Sequence, residues 1–271
     1  LSGLMTSFDS DGFTNAADNG VNENTKTYVA WNWKAGTAVS GNSGGSGTAK
    51  AYSGSVNATA GFSIIKYIGN GSGGHTIPHR LGVAPSNVII KDISASNSWI
   101  CKMQGYDGYL YLNNTNAGTS NSTWLPTDAN NLTLANTWGA YNTNDATYIA
   151  YCFSEKVGYS KFGKYTGNGN ADGPFSYTGF KPAFIMIKRT DVAKNWYIND
   201  NLRLGYNANN PYLSPNLTAA ETGGTEIDIL SNGFKIRASG TGHNQSGGTY
   251  IYMAIAENPF VTSTGVPATA R

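Results

Sequence analysis

The chain has 271 residues, 18 Lys and Arg against 16 Asp and Glu, 34 glycines and 12% aromatic residues. A net charge of +2 with dispersed basic residues gives no electrostatic footprint for nucleic acid. The aromatic content excludes a disordered chain, and no apolar run is long enough for a membrane span.

Glycine, asparagine, serine and threonine between short apolar runs read as many short strands joined by turns. Chain order begins with SDGF at Ser10–Phe13, a tight-turn signal that returns as SNGF at Ser231–Phe234. TYVAWNWKAG at residues 27–36 returns as TYIAYCFSEK at 147–156 and TYIYMAIAEN at 249–258. Each copy alternates with the period of a strand. In the last, Tyr250, Tyr252, Ala254 and Ala256 share one face and Ile251, Met253 and Ile255 the other; the aliphatic side is the expected core side. Each copy follows a polar turn containing asparagine, such as Asn142-Thr143-Asn144 and Asn244-Gln245-Ser246.

A longer repeat lies between these closing strands. Residues 61–101 and 160–198 share Lys-Tyr (Lys66-Tyr67, Lys164-Tyr165), then Gly-Asn-Gly (Gly69–Gly71, Gly167–Gly169), then Gly-x-x-Pro (Gly82 and Pro85, Gly179 and Pro182). A lysine (Lys91, Lys188) and a tryptophan (Trp99, Trp196) follow in both, with a one-residue gap after the Gly-Asn-Gly. A repeat of this length defines the architecture. The expected fold class is all-β, with tandem antiparallel β-sandwich-like modules and long Gly/Asn-rich loops. Residues 1–36 read as the closing half of a first module, 37–60 as a Gly/Ser-rich linker, 61–159 and 160–260 as second and third modules, and 261–271 as a tail. Val39, Tyr52 and Val56 interrupt the linker composition, so it is able to lie as an extended ribbon on its neighbours. A helical turn at Leu217–Glu221 carries little weight. Cys101 and Cys152 read as buried free thiols.

No pattern of reactive residues stands out. Glycoside cleavage needs two carboxylates across a cleft, about 5–5.5 Å apart for retention or roughly 6.5–9.5 Å for inversion. Asp172, Asp191, Asp200, Glu226, Asp228 and Glu257 form no repeated pair. His75, His79 and His243 read as solvated loop histidines, without the spacing of a zinc site. Asp9-Ser-Asp11-Gly12 reaches its glycine too early for a calcium loop. The Gly-Asn-Gly segments lack the helix that a phosphate loop requires. Catalytic residues, metal ligands and cofactors are therefore expected to be absent.

The motifs YTGNGNADGPFSYTGFKPAFIMIKRTD, NWYI, LSNGFKI, GGTYIYMAIAENPF and TGVPATAR resemble an uncharacterised repeat family. It occurs at the C-terminal ends of large structural proteins of marine tailed phages, often after a laminin-G-like domain. The resemblance implies the C-terminal part of a longer virion protein ending at Arg271. That protein would be a tail-fibre or appendage adhesin on the particle surface that binds a host glycan or protein without catalysis. A capsid fibre or decoration protein is the alternative, and a polysaccharide depolymerase a third reading. Other virion proteins and further copies of the chain, as a homotrimer, are the implied partners; nucleic acid and membrane insertion are not. The repeated Trp99 and Trp196 are expected to be packed. Ligand contacts are expected from unrepeated loop residues, Trp124, Arg203, Tyr206 and Asn209. They are also expected where the copies differ, Ser72–His79 against Asn170–Tyr177, which brings in Asn170, Asp172 and Tyr177.

Overall fold

A computed structural model describes residues 4–34, 36–203, 207 and 210–256. Residues 1–34 and 35–271 are separate compact units. In the first, β1 (Met5–Phe8) and β2 (Phe13–Asn15) form an antiparallel hairpin. Its Asp-Gly turn is closed by Asp9 N donating to Gly12 O at 2.9 Å. A four-residue helix α1 (Asn19–Asn22) is capped by Asp18, whose carboxylate accepts from Gly20 N at 2.7 Å. Residues 27–34, which echo the closing strands, form no strand. Alternation alone does not make a ladder, and β1 and β2 pair only with each other.

The second unit begins with β3 (Thr37–Asn42), β4 (Gly44–Gly45) and β5 (Ala51–Asn57). Next come β6 (Phe62–Ile68), β7 (His75–Pro78), β8 (Asn87–Asp92) and β9 (Ile100–Lys102). The second module is completed by β10 (Gly108–Tyr111), β11 (Thr119–Ser120), β12 (Asn131–Leu134) and β13 (Thr147–Phe153). They build an eight-stranded sheet in the order β11-β10-β9-β8-β13-β6-β5-β3 and a three-stranded sheet, β12-β7-β4. The third module repeats the plan. Its strands are β14 (Ser160–Thr166), β15 (Phe175–Tyr177), β16 (Pro182–Arg189) and β17 (Trp196–Asp200), then β18 (Ile227–Leu230), β19 (Gly233–Ile236) and β20 (Thr249–Ala256). The sheet β14-β20-β16-β17 matches β6-β13-β8-β9, and β15-β19-β18 matches β7-β12 with one strand added on the far side. The protein is all-β and sandwich-like. No helix forms at Leu217–Glu221.

Each module buries a core between its two sheets. In the second, Ile65, Tyr67, Val88, Ile90, Tyr148 and Ala150 meet Ile77, Leu132 and Leu134. In the third, Tyr165, Ile185, Ile187, Tyr250, Tyr252 and Ala254 meet Ile227, Ile229, Phe234 and Ile236. Burying each large side chain contributes about 1.5–3 kcal/mol. The expected core side of β20 is thus corrected: its Tyr/Ala face fills the module's own core. The aliphatic face, with Ile251 at 1% and Met253 at 2% exposure, is buried as well, on the opposite side. Phe162, Met186, Trp196 and Ile198 share that side, and Ile89, Cys101 and Leu110 are buried on the corresponding outer face of the second module.

Contacts bridge these outer faces. Phe153 meets Phe162 edge-on at 6.5 Å. Trp196 Nε1 donates to Tyr111 O at 2.8 Å, Gly118 N to Thr190 O at 2.8 Å, and Lys194 N to Thr115 O at 2.9 Å. The modules therefore stand back to back, so both faces of the intervening strands are dry. Cys101 and Cys152 are free and buried, and burial pushes the Cys152 thiol up to about 12.

Residues 37–60 are not a linker. β5 pairs with β6, β3 with β5, and β4 with the edge of β7. Tyr52 and Val56, at matching parity on β5, are buried in the second module's core.

Candidate functional site

The shared part of the repeat is scaffold. In the second module Asn142 Oδ1 accepts from Asn70 N, while its Nδ2 donates to Ser72 O and Asn136 O. In the third, Asn244 Oδ1 accepts from Asn168 N, and Nδ2 donates to Asn170 O and Ala238 O. One buried asparagine thus clamps each Gly-Asn-Gly turn to the loop before the closing strand. The turn must be glycine: a Cβ at Gly69 or Gly167 would strike the carbonyl of Thr143 or Gln245. Beside each clamp two tyrosines stack, Tyr67 on Tyr148 at 5.2 Å and Tyr165 on Tyr250 at 4.8 Å. Tyr67 and Tyr165 donate to the carbonyls of Tyr141 and His243 at 2.8 Å. Lys91 and Lys188 each fold onto carbonyls of the loop that follows them, Ala95 and Asn97 or Lys194, and Lys188 adds Thr115 O. Burial lowers the Lys188 ammonium to about 8.

The histidines are buried, not solvated: His75 and His79 are fully covered and His243 is 4% exposed. His75 lies on β7 and His79 directly follows it, so four positions apart puts them on one face of an extended chain. Ser43 Oγ lies 2.6 Å from His75 Nε2, and His75 Nδ1 3.2 Å from Asn142 Oδ1. Because both hydrogens of Asn142 Nδ2 go to carbonyls, Oδ1 faces the ring. Nδ1 therefore donates, and Nε2 accepts from Ser43. The order serine–histidine–asparagine is that of an acyl-transfer triad. However, Ser43 Oγ also accepts from Lys50 N at 2.8 Å, and Ser43 is only 5% exposed. No substrate approaches such an oxygen; the three residues staple β4 to β7. His79 Nδ1 accepts from Leu81 N and Nε2 donates to Asp128 O at 3.0 Å. Burial holds both imidazoles below their usual range.

The copies diverge at the small sheet. In the second module the outer edge of β7 is covered by β4, and its outward side chains are Thr76 and Pro78. The third-module counterpart, β15, carries Phe175 and Tyr177, 45% and 64% exposed, with Ser176 turned inward. Lys235 sits between Phe175 on one side and Asp228 on the other. Its Nζ contacts Asp172 Oδ1 at 2.7 Å and Gly173 O at 3.0 Å, which holds the Asp172 carboxyl below the usual carboxylate range. Two residues further along, Arg237 Nε contacts Asp228 Oδ2 at 3.3 Å. The Arg237–Asp228 pair borders a depression of about 290 Å³ lined by Ala171, Asn207, Thr225, Asp228 and Arg237. Asn207 closes one side by pairing its amide with Ile229 N and O at 2.7 and 3.0 Å, as a strand residue would. The result is two aromatic rings beside two mixed-sign ion pairs and a polar hollow, the constituents of a hydroxyl-rich ligand site.

Of the residues expected at a site, Tyr177 and Asp172 lie here. Asn170 is in the adjoining turn, where Oδ1 accepts from Asp172 N at 2.9 Å. Trp124 does not join them: it is 2% exposed in the second module's core, with Nε1 donating to Gly108 O. Arg203 is tied up by Asp200 at 2.7 Å and Glu221 at 2.6 Å. Tyr206 and Asn209 lie outside the described residues. Sequence reading missed Phe175, Lys235 and Arg237, and weighed Asp228 only as a catalytic carboxylate without a repeated partner. The signal for Phe175 was its parity with Tyr177 in a segment where the copies differ. Among the described residues no group of three or more His, Cys, Asp or Glu is placed to hold a metal.

The architecture is that of a tandem-repeat, all-β, sandwich-like protein. The chain belongs to a family defined as a domain of unknown function (DUF7483), whose model matches residues 2–259. No curated protein and no solved structure matches the chain.

Proposed function

We propose that this chain is a non-catalytic receptor-binding part of a phage surface appendage, with the outward face of β15, β19 and β18 as its contact surface. The single observation that carries the reading is the pair of exposed rings, Phe175 and Tyr177, set beside the Lys235–Asp172 and Arg237–Asp228 pairs. Single exposed apolar residues are ordinary, but adjacent rings on one short strand, framed by charge, mark an interaction surface. The resemblance of the repeat motifs to phage adhesion proteins supports the setting. The test is capture of host cells by the labelled protein, alone and with Phe175→Ala and Tyr177→Ala together. Loss of capture in a folded double variant supports the reading; unchanged capture, or none by the parent protein, refutes it.

A purely structural role in the particle is favoured by one feature. β3, at the end of the eight-stranded sheet, presents six residues without a charge, whereas β14 carries Lys161 and Lys164. An uncharged edge admits strand pairing with another copy. Sedimentation of the parent and of Ser40→Lys, at an exposed position of the same strand, distinguishes the two: concentration-dependent assembly abolished by the lysine supports the structural role.

A further inference from the structure

We infer that the ligand of this surface is an uncharged polysaccharide, bound as two neighbouring sugar units, one against Phe175 and Tyr177 and the next in the hollow beside Arg237. The inference rests on the receptor-binding reading above and specifies its chemistry.

The charge balance carries it. The surface has two cations, Lys235 and Arg237, and two carboxylates, Asp172 and Asp228, paired at 2.7 and 3.3 Å. They cancel locally, so no net field draws an anion to the site. A uronate or sulfate entering the hollow would lie against the Asp228 carboxylate that stands beside Arg237. A sugar hydroxyl, which both donates and accepts, has no such conflict. The contact with Asp228 is made through Nε of Arg237, whose side chain is 44% exposed, and its Nη groups carry four further N–H donors. They are donors for hydroxyl oxygens, and the outer oxygens of Asp228 and Asp172 are acceptors.

The layout sets the length. Phe175 pairs directly with Lys235, and Arg237 lies two residues beyond it. At strand rise this separates the two backbone positions by about 7 Å, and the ring, which lies over Gly233, is farther still from the guanidinium. A single small molecule would not use both ends, whereas adjacent units of an extended chain would. The ring of Phe175 leans the other way, over Gly233, where an added Cβ would lie 3.0 Å from it; this broadens the apolar end toward Tyr177 and Leu230.

The experiment measures binding of the whole chain to soluble neutral polymers (a β-glucan, a mannan and a galactan) and to anionic ones (alginate and dextran sulfate). At least one neutral polymer is expected to bind, with less than about a twofold change in Kd between about 50 and 500 mM salt. Phe175→Ala and Arg237→Ala should each weaken it about tenfold. Arg237→Lys should weaken it too, because the fork rather than the charge is used, while Lys66→Ala on another sheet should not. Selective, salt-sensitive binding of the anionic polymers would overturn the inference and leave the receptor reading standing. Binding of no polymer, with host-cell capture intact, would also overturn it and point to a protein receptor. Loss of capture as well would remove both.

Discussion

One asparagine in each module carries bonds that no neighbour replaces. Asn142→Ala would strand Asn70 N and two carbonyls, and Asn244→Ala their counterparts. Each change should cost about 2–4 kcal/mol in denaturant unfolding, against little for the exposed Asn130→Ala. The three histidines contribute to the acid limb of stability. Burial lowers all of them from the usual 6.5, His243 to about 4, so the unfolded chain takes up protons that the folded chain refuses. Stability is therefore full above about pH 6.5 and falls as pH drops from there toward 4. Melting temperature measured from pH 7.5 to 4 should follow that course, and His243→Phe should flatten it; a parent profile flat between pH 6.5 and 4 would contradict the assignment. The repeated asparagine turns were visible in the sequence. Their partners, about seventy positions away, were not, because a side-chain bond across a fold leaves no local pattern. The histidines were misjudged for a related reason: a glycine-rich neighbourhood suggests a loop, while His75 and His79 belong to a strand whose partners come from residues 44–45 and 131–134.

At the scale of elements, the hairpin built from residues 37–57 shows why composition misleads. Glycine and serine made it resemble a linker, yet Tyr52 and Val56 have strand parity and supply core to the second module. Gly54 lies between them, where its neighbour Ile65 leaves no space for a side chain. The hairpin is held at one end by Ser43, which accepts from Lys50 N and donates to His75. Ser43→Ala should raise amide exchange of residues 40–53 at least about tenfold and leave β16 and β20 protected, because local openings are decoupled from distant elements. Equal acceleration everywhere would show that the hairpin is part of the global unit. The third module has no equivalent hairpin. Its preceding segment, residues 154–159, is too short to supply one, and that leaves β15 bare and its aromatic rings available.

Across the whole second unit, alternation gave the strands and their order but not the depth of burial. A strand with two apolar faces was read as having one core side, because a second module against its back is not encoded in its own periodicity. Trp196 marks this layer: it is fully buried and bonded to Tyr111 O. Trp196→Ala should cost about 3–5 kcal/mol. Residues 160–256 produced alone, with Ile251, Met253 and Phe162 uncovered, should bind a hydrophobic dye that the intact chain does not. If that fragment is monomeric, stable and dye-free, the back-to-back layer is not needed for folding.

In the third module Ser160 pairs with Ile255, so its chain enters and leaves at one end of two adjacent strands. Tension applied along the chain therefore loads those strands as a zipper, one hydrogen-bonded pair at a time, rather than shearing all pairs together. A module pulled by its own ends is mechanically weak whatever its thermodynamic stability. The layer between modules, where Trp196, Lys188 and Lys194 tie across to residues 111–118, lies off that line of force and is left intact as the zipper opens.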